Sequence, residues 1–278
     1  MQIHTTGIGD ITVHAIEDGH FLRKPTDMFP LSDETTWTPD QPGFDGEHLR
    51  ISLGCFLLET PDGHVMVDTG IGAFAGDVGG VGGDCLPALE HLGVDPAEVR
   101  AVVHTHLHGD HISGNLLHDR SIAYPNARFY VHERELAFWE STDRPGSEVV
   151  RDRFGVITSA GMHRTFVGDV ALTGRLAAME TPGHTPGHIS VLVDGGDGSK
   201  LVITGDVTHH PVQAAHPDWS IAFDVDGDQA AETRARVFAL LADEGWTQAS
   251  GHDPRPGFGN VTRSEDNFVM TLGDGSDG

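Results

Sequence analysis

The chain has 278 residues, a length compatible with one large α/β unit, and its 38% hydrophobic content supports a packed core over disorder. Lys and Arg number 17 against 42 Asp and Glu, and the net charge of −25 argues against nucleic acid as a partner because a polyanion would be repelled. No stretch reaches the roughly eighteen uninterrupted apolar residues of a membrane span, and residues 1–6 lack the basic start of a secretory signal, so we expect a cytoplasmic protein without membrane contact.

In chain order, the first predicted element is a strand over residues 11–16, where apolar positions alternate. Residues 21–48 are rich in Pro, Thr and Asp, so we predict a long loop that covers something or meets a partner subunit. Its aromatic side chains Phe29, Trp37 and Phe44 either line an apolar substrate pocket or form a small core of the loop itself. The sequence leaves both alternatives open.

Two hairpins are predicted, and in each the second strand runs into an aspartate. The strand pairs are residues 51–58 with 64–67 and residues 189–193 with 201–204. The aspartates are Asp68 and Asp206. This recurrence suggests a pseudo-repeated architecture.

Further strands alternate with helices along the chain, which indicates a layered α/β protein. The predicted helices cover residues 84–92, 133–140 and 228–243, and the predicted strands cover residues 99–103 and 129–131. We therefore expect a single domain over residues 1–278, with a frayed tail at 273–278. Cys55 and Cys85 lack the paired spacing of a thiolate metal site, and Cys55, within an apolar strand, is expected to be a buried structural thiol.

Histidine is unusually frequent, with 19 copies, and several follow the predicted strand 99–103 directly. The run is His106-Leu107-His108-Gly109-Asp110-His111. A sharp loop after a strand turns alternate side chains inward, so His106 and His108 can converge on one ion while Asp110 and His111 face a second. Imidazole and carboxylate suit zinc, with iron, manganese or cobalt as alternatives.

This run resembles the His-x-His-x-Asp-His signature of the metallo-β-lactamase superfamily, whose fold is a four-layer αβ/βα sandwich. Other motifs resemble that family at matching places, over about residues 51 to 252. They are Asp68 in Asp-Thr-Gly, His184 in Thr-Pro-Gly-His, Asp206 after Gly205, and His252 in Ser-Gly-His.

The resemblance implies two divalent metal ions, with zinc expected. His106, His108 and His184 would hold one ion, Asp110, His111 and His252 the other, and Asp206 would bridge them, with Asp68 as a supporting carboxylate. Ions about 3.5–4 Å apart can share a hydroxide nucleophile, which Asp110 would orient before passing its proton to the leaving group. His188 also follows Pro-Gly but is expected to start the next strand, and His104 is expected to lie behind the ligands.

An aspartate bridge resembles the lactonase, glyoxalase II and organophosphate hydrolase branches, since some true β-lactamases place cysteine there. Quorum-quenching lactonases usually carry tyrosine three residues after that aspartate, whereas this chain has His209, which either donates a hydrogen bond to substrate or is an ordinary loop histidine. The departure argues against acyl-homoserine lactones while leaving other lactones open. The segments around Asp206 and His252 resemble the methyl-parathion-hydrolase and lactonase group most, which also suggests a homodimer.

The predicted function is therefore metal-dependent hydrolysis of a small-molecule lactone, ester or organophosphate. The alternatives are a thioester hydrolase of the glyoxalase II type and, below it, an iron-dependent oxidoreductase on the same fold.

Overall fold

Two mixed β-sheets face each other in the computed structural model of the chain, which describes residues 1–78 and 80–273. Within those residues the first sheet has the strand order β1-β2-β3-β4-β6-β7-β8, with the short β5 paired to β2. Its strands are β1 (Gln2–Ile8), β2 (Ile11–Arg23), β3 (Leu49–Thr60), β4 (Gly63–Val67), β5 (Val81–Gly82), β6 (Val99–Val103), β7 (Arg128–His132) and β8 (His163–Phe166).

The second sheet has the order β15-β14-β13-β12-β11-β10-β9 in the same described residues. Its strands are β9 (Val170–Ala171), β10 (Leu176–Glu180), β11 (Ile189–Asp194), β12 (Lys200–Ile203), β13 (Thr247–Ser250), β14 (Gly257–Arg263) and β15 (Phe268–Leu272). Both predicted hairpins are present, because β3 pairs with β4 and β11 with β12, in each case antiparallel.

Of the helices, α2, α4, α5 and α7 cover the outer faces of the sheets. The helices are α1 (Pro25–Met28), α2 (Cys85–His91), α3 (Gly109–Ile112), α4 (Glu133–Ser141), α5 (Ser147–Ser159), α6 (Val212–Ala215) and α7 (Gly227–Glu244). Short 3₁₀ turns lie at Glu34–Thr36, Gly72–Val78, Pro96–Glu98, Ser113–Asn115 and Gly205–Val207. The sequence analysis did not anticipate α5, although its buried Val150, Phe154 and Ile157 follow helical spacing.

The apolar core occupies three levels, which confirms the predicted four-layer αβ/βα sandwich. A central cluster joins the facing sides of the sheets, with Leu58 and Val67 from the first and Val191 and Ile203 from the second. A second cluster packs α2, α4 and α5 onto the first sheet, and a third packs α7 onto the second.

The predicted loop over residues 21–48 differs at its start, because β2 continues to Arg23 and α1 follows at once. The extension is stabilised by pairing of β2 with β3 as far as Arg23↔Leu49. From the predicted tail, residues 274–278 lie outside the described part of the chain. Cys55 is buried as predicted.

The carboxyl ends of neighbouring parallel strands meet at one edge of the sandwich. In the first sheet β4 runs parallel to β6, and in the second β12 runs parallel to β13. Asp68 follows β4, the histidine run follows β6, Asp206 follows β12, and His252 follows β13. The two halves of the fold therefore deliver their polar side chains to the same place.

Among the helices of residues 1–78 and 80–273, none combines the length and the apolar character that a membrane span requires.

Leu58→Ala tests the core between the sheets. Leu58 is fully buried in it, so we expect the substitution to lower the free energy of unfolding by about 2–5 kcal/mol, measured by urea denaturation. Leu117→Ala, at a half-exposed leucine, is the matched control and should change stability by about 0.5 kcal/mol or less. Equal effects of the two substitutions would contradict this packing.

Candidate metal centre

The first group of converging side chains joins the histidine run to the loop before β11. His108 Nδ1 lies 2.9 Å from His106 Nε2 and 2.9 Å from His184 Nε2. Asp206 Oδ2 lies 3.0 Å from His184 Nε2 and 3.6 Å from His106 Nε2. These four residues form one group with the geometry to hold a metal ion.

The second group lies on the other side of the Asp206 carboxylate. His111 Nε2 and His252 Nε2 are 3.2 Å apart, and each is 3.2 Å from Asp206 Oδ1. Asp110 Oδ2 is 3.8 Å from His111 Nε2 and 3.9 Å from His252 Nε2. Asp206 thus directs one oxygen to each group, which is the arrangement of a bridging carboxylate.

The spacing of the donor atoms suits the coordination of divalent metal ions better than direct hydrogen bonding between the donors. Ligand nitrogens around a tetrahedral ion with bonds of 2.0–2.1 Å lie roughly 3.3 Å apart, close to the spacing seen here. Asp206 Oδ1 is buried and accepts no hydrogen bond from the described residues. An ion on each side would satisfy that oxygen and the imidazole lone pairs together.

Outer hydrogen bonds fix the orientation of the imidazole rings. Three of the histidines donate from Nδ1–H to an oxygen behind them, which leaves the Nε2 lone pair pointing into the centre. The acceptors are Asp68 Oδ2 for His111 (2.8 Å), Asp224 Oδ1 for His184 (2.8 Å) and the Ser52 carbonyl for His252 (2.7 Å). The rings are therefore oriented by the protein itself.

Electrostatics in the metal-free chain follow from this packing of carboxylates and imidazoles. Burial would raise the pKa of Asp206, but the surrounding imidazoles hold it well below its usual range. Burial acts to lower the pKa of His184, yet Asp206 and Asp224 outweigh it and raise that pKa to about 9. Burial, reinforced by neighbouring imidazoles, places the pKa values of His106 and His108 well below the usual value. A metal ion would have to displace protons from part of the cluster.

Two further histidines lie behind the centre. His188 directly precedes β11, as predicted, and its Nε2 accepts a hydrogen bond of 2.9 Å from the Asp206 backbone N–H. His104 is fully buried with its Nε2 3.0 Å from the Asn115 amide. Neither side chain belongs to a group of potential metal ligands among the described residues.

A cavity of about 350 Å³ opens over the two groups, and Asp110, His209 and His252 contribute to its wall. Its other walls are largely apolar, with Phe21 from β2 and Phe223 near the mouth. His209 stacks on the His252 ring at 4.9 Å, and its Nε2 lies 3.1 Å from Asp206 Oδ2. Burial lowers the pKa of His209 to about 4, so this ring is neutral at pH 7.

Phe29 and Trp37, which the sequence offered as pocket residues, lie elsewhere. Their rings pack on each other at 5.5 Å, and Trp37 also packs on His210 at 5.4 Å. They belong to a buried cluster with Leu49 and do not line the cavity, although Met28 and Ile51 belong to both. The reason is that β2 continues to Arg23 and brings Phe21, together with Met28 of α1, to the cavity instead. The rings therefore pack in a small core, as the second alternative held, but this core is shared with Leu49 and Ile51 of β3 and with Val212 of α6.

Two functional candidates escaped the sequence analysis. Asp224 lies in the loop before α7 and accepts the hydrogen bond from His184. Glu135 lies in the first turn of α4 and is fully buried against the loop after β6 and the loop before β11. An acidic residue in a loop or a helix start is ordinary in sequence, so only the structure distinguishes these two.

Comparison with known proteins gives concordant results. A profile of the metallo-β-lactamase superfamily matches residues 55–252. The N-acyl homoserine lactonase AttM of Rhizobium radiobacter is 30% identical over 237 residues, which cover 76% of this chain and 85% of that protein. An N-acyl homoserine lactonase from a Bacillus species is 27% identical over 182 residues, 59% of this chain and 67% of its own length.

Solved structures share the whole fold. AbOPH, a hydrolase in the β-lactamase superfamily, superposes with a TM-score of 0.87 at 25% identity, covering 99% of this chain and 98% of its own. AidC, a dizinc quorum-quenching lactonase, also gives a TM-score of 0.87, at 20% identity, covering 98% and 97%. At that identity, the likeness to AidC concerns the fold alone.

Asp68 offers a test of the outer hydrogen bonds. Its buried carboxylate accepts from Thr105 N (2.9 Å), Thr105 Oγ1 (2.7 Å) and His111 Nδ1 (2.8 Å), and its backbone is left-handed with φ 57°. We expect Asp68→Ala to destabilise the metal-free protein by about 3–5 kcal/mol in urea denaturation, because it leaves buried donors unpaired.

Asp68→Asn should lower the free energy of unfolding by at least about 1 kcal/mol less than Asp68→Ala does, because asparagine tolerates the left-handed backbone and keeps one acceptor oxygen. The control is Asp266→Ala at an exposed aspartate, which should be nearly neutral. Equal stability of the Ala and Asn variants at position 68 would contradict this role for the backbone and the acceptor.

Proposed function

The chain belongs to the metallo-β-lactamase superfamily, and from this membership we propose that it is a dinuclear metal-dependent hydrolase of small-molecule lactones, with related esters as further substrates. The observation that carries the proposal is the position of Asp206 between the two groups. One carboxylate oxygen faces His184 at 3.0 Å, and the other faces His111 and His252 at 3.2 Å.

We assign His106, His108 and His184 to one ion, Asp110, His111 and His252 to the other, and Asp206 to both, with zinc as the proposed metal. The donor set of imidazoles and carboxylates supports zinc, and iron, manganese or cobalt would be accommodated by the same ligands. When bound, two such ions supply Lewis acidity at the carbonyl oxygen and lower the pKa of water to about 7.

The chain's own groups would guide the proton. Asp110 lines the cavity and keeps part of its side chain exposed, so its carboxylate can accept a hydrogen bond from the attacking water. As the ring C–O bond of a lactone breaks, the same carboxylate would return the proton to the leaving oxygen. With the Asp206 carboxylate engaged by metal ions, the His209 Nε2–H would be free to donate a hydrogen bond to substrate from the cavity wall.

The cavity supports a substrate with an apolar substituent. Its volume of about 350 Å³ suits a small molecule, and Phe21, Met28 and Phe223 would contact the part remote from the reacting carbonyl. The curated relatives are lactonases, which favours a lactone over the thioester of a glyoxalase II reaction or an iron-dependent oxidation. Because these relatives are N-acyl homoserine lactonases, acyl-homoserine lactones stay among the proposed substrates although His209 replaces the usual tyrosine.

Two expectations from the sequence stay predictions. One is a homodimer, which sedimentation would test, and the other is a cytoplasmic location, which cell fractionation would test.

A hydrolysis panel with the zinc-loaded protein tests the proposal. We expect turnover of lactones carrying an apolar acyl chain to exceed that of aryl esters, phosphotriesters, thioesters and β-lactams, with two zinc ions per chain. Asp206→Ala should lower both zinc affinity and lactone turnover. Each should fall by more than the roughly 10–100-fold that is lost in other metal sites when a residue hydrogen-bonded to a ligand is removed.

Asp266→Ala, an exposed aspartate away from the site, should keep two ions and full activity. Two ions and full lactone turnover in Asp206→Ala would overturn the assignment of the bridge. Thioester hydrolysis above lactone hydrolysis in the unchanged protein would favour the glyoxalase II alternative.

His209→Phe separates substrate contact from metal binding, because Asp206, His209 and His252 also form a group with ligand-like spacing. Phenylalanine keeps the ring stacked on His252 but removes both nitrogens. We expect two zinc ions to remain and lactone kcat/KM to fall by about 10–100-fold, the equivalent of one hydrogen bond to a charged group. Loss of one ion would instead make His209 a ligand and contradict its assignment to substrate.

A further inference from the structure

Glu135 has a fully buried carboxylate that accepts hydrogen bonds from two separate loops. Its Oε1 accepts from the Leu107 backbone N–H at 3.0 Å and from Trp139 Nε1–H at 2.7 Å. Its Oε2 accepts from the Gly187 backbone N–H at 3.1 Å. One side chain therefore joins the loop after β6 to the loop before β11, which the Ile189 N–H donating to the Thr105 carbonyl at 2.9 Å also links.

The two loops are those that carry the first ligand group. Leu107 lies between His106 and His108, and Gly187 lies three residues after His184. A shift of one loop relative to the other would change the 2.9 Å separation between His108 Nδ1 and His184 Nε2. Glu135 is thus placed to set the distance between the loops without touching a ligand side chain.

The surrounding packing leaves little freedom in this arrangement. A Cβ added at Gly187 would lie 2.2 Å from the Glu135 backbone nitrogen, so α4 and the second ligand loop are in direct contact. Trp139, the third donor to Glu135, packs edge-on against the His108 ring with centroids 5.2 Å apart. The indole therefore links the carboxylate to the middle ligand of the group.

The need for two acceptor oxygens explains an acid at this position. A carboxylate accepts at both oxygens, whereas glutamine would accept at one and present an N–H group at the other. Burying a carboxylate carries a large desolvation cost, which N–H donors offset only in part. A neutral side chain would avoid that cost but would lose the hydrogen bond to one of the two loops.

We propose that Glu135 is a positioning residue that fixes the two loops of the first ligand group relative to each other, so that the three imidazoles converge before a metal ion binds. The inference rests on the proposed dinuclear centre and adds to it a residue that binds neither metal nor substrate. It predicts that Glu135 controls metal affinity at one of the two sites.

Glu135→Gln is the direct test, because it preserves size and removes one acceptor. The amide oxygen is expected to keep the Leu107 and Trp139 donors, since this retains two hydrogen bonds, while the amide NH₂ would face the Gly187 N–H. We expect zinc affinity of one site to fall by about 10–100-fold, the range for loss of an outer partner. The readout is zinc per chain during titration with a competing chelator, at a concentration where the unchanged protein retains two ions.

Two controls separate positioning from general loss of stability. Leu241→Ala removes a fully buried side chain from the core under α7 and should lower the unfolding temperature of the metal-free protein at least as much, while retaining both ions. Trp139→Phe removes one donor but keeps a ring beside His108, so its loss of zinc affinity should be smaller than that of Glu135→Gln.

Retention of both ions by Glu135→Gln, with affinities within about threefold of the unchanged protein, would overturn the inference. Equal zinc loss from Glu135→Gln and Leu241→Ala would also overturn the inference, because lower protein stability alone would then explain the loss of zinc. Binding of no zinc by the unchanged protein would instead refute the dinuclear centre itself, so the two failures are distinguishable.

Amide hydrogen exchange provides a test that needs no variant, should Glu135→Gln fail to fold. In the metal-free protein the Leu107 and Gly187 amides should be protected to a similar degree, because the same carboxylate holds both. Exchange of either amide as fast as that of an exposed loop would contradict the proposed role of Glu135.

Discussion

The Asp206 carboxylate lies among imidazole rings and away from water, with one oxygen directed to each side of the cluster. A buried anion is costly unless positive charge surrounds it, and in the metal-free chain Asp206 raises the pKa values of His111, His184 and His252, which favours their protonated forms. The rings are also turned inward by hydrogen bonds at their far nitrogens, from Asp68, Asp224 and the Ser52 carbonyl. Metal ions at the centre would replace those protons and satisfy the carboxylate and the imidazole nitrogens together, and the surrounding structure is organised around that requirement.

The fold meets the requirement by repeating one arrangement. Each sheet contains an antiparallel hairpin followed by a parallel neighbour, and the carboxyl ends of β4, β6, β12 and β13 meet at the same edge. The central core fixes the sheets face to face, so backbone positions far apart in sequence arrive at the distances that ligands need. Glu135 adds a local tie between the two loops of the first group. Rigid strands and one buried acid thus share the task of placing the ligands.

The strand-ending histidine run and the aspartates after two hairpins could be read from the sequence, because strand periodicity and residue chemistry are both local signals. The layered α/β fold followed from the alternation of strands and helices. Phe29 and Trp37 could not be placed, since the end of β2 depends on its pairing with β3 and not on local pattern. Glu135 and Asp224 were missed for a related reason, as burial of an acid is decided by tertiary packing.

Anomalous scattering from a crystal grown with zinc would determine whether Asp206 bridges two metal ions. We expect two zinc peaks about 3.5–4 Å apart, one bonded to His106, His108 and His184 and the other to Asp110, His111 and His252, with Asp206 oxygens bonded to both. A single peak, or two peaks of which neither contacts Asp206, would contradict the proposal that this carboxylate bridges a dinuclear centre.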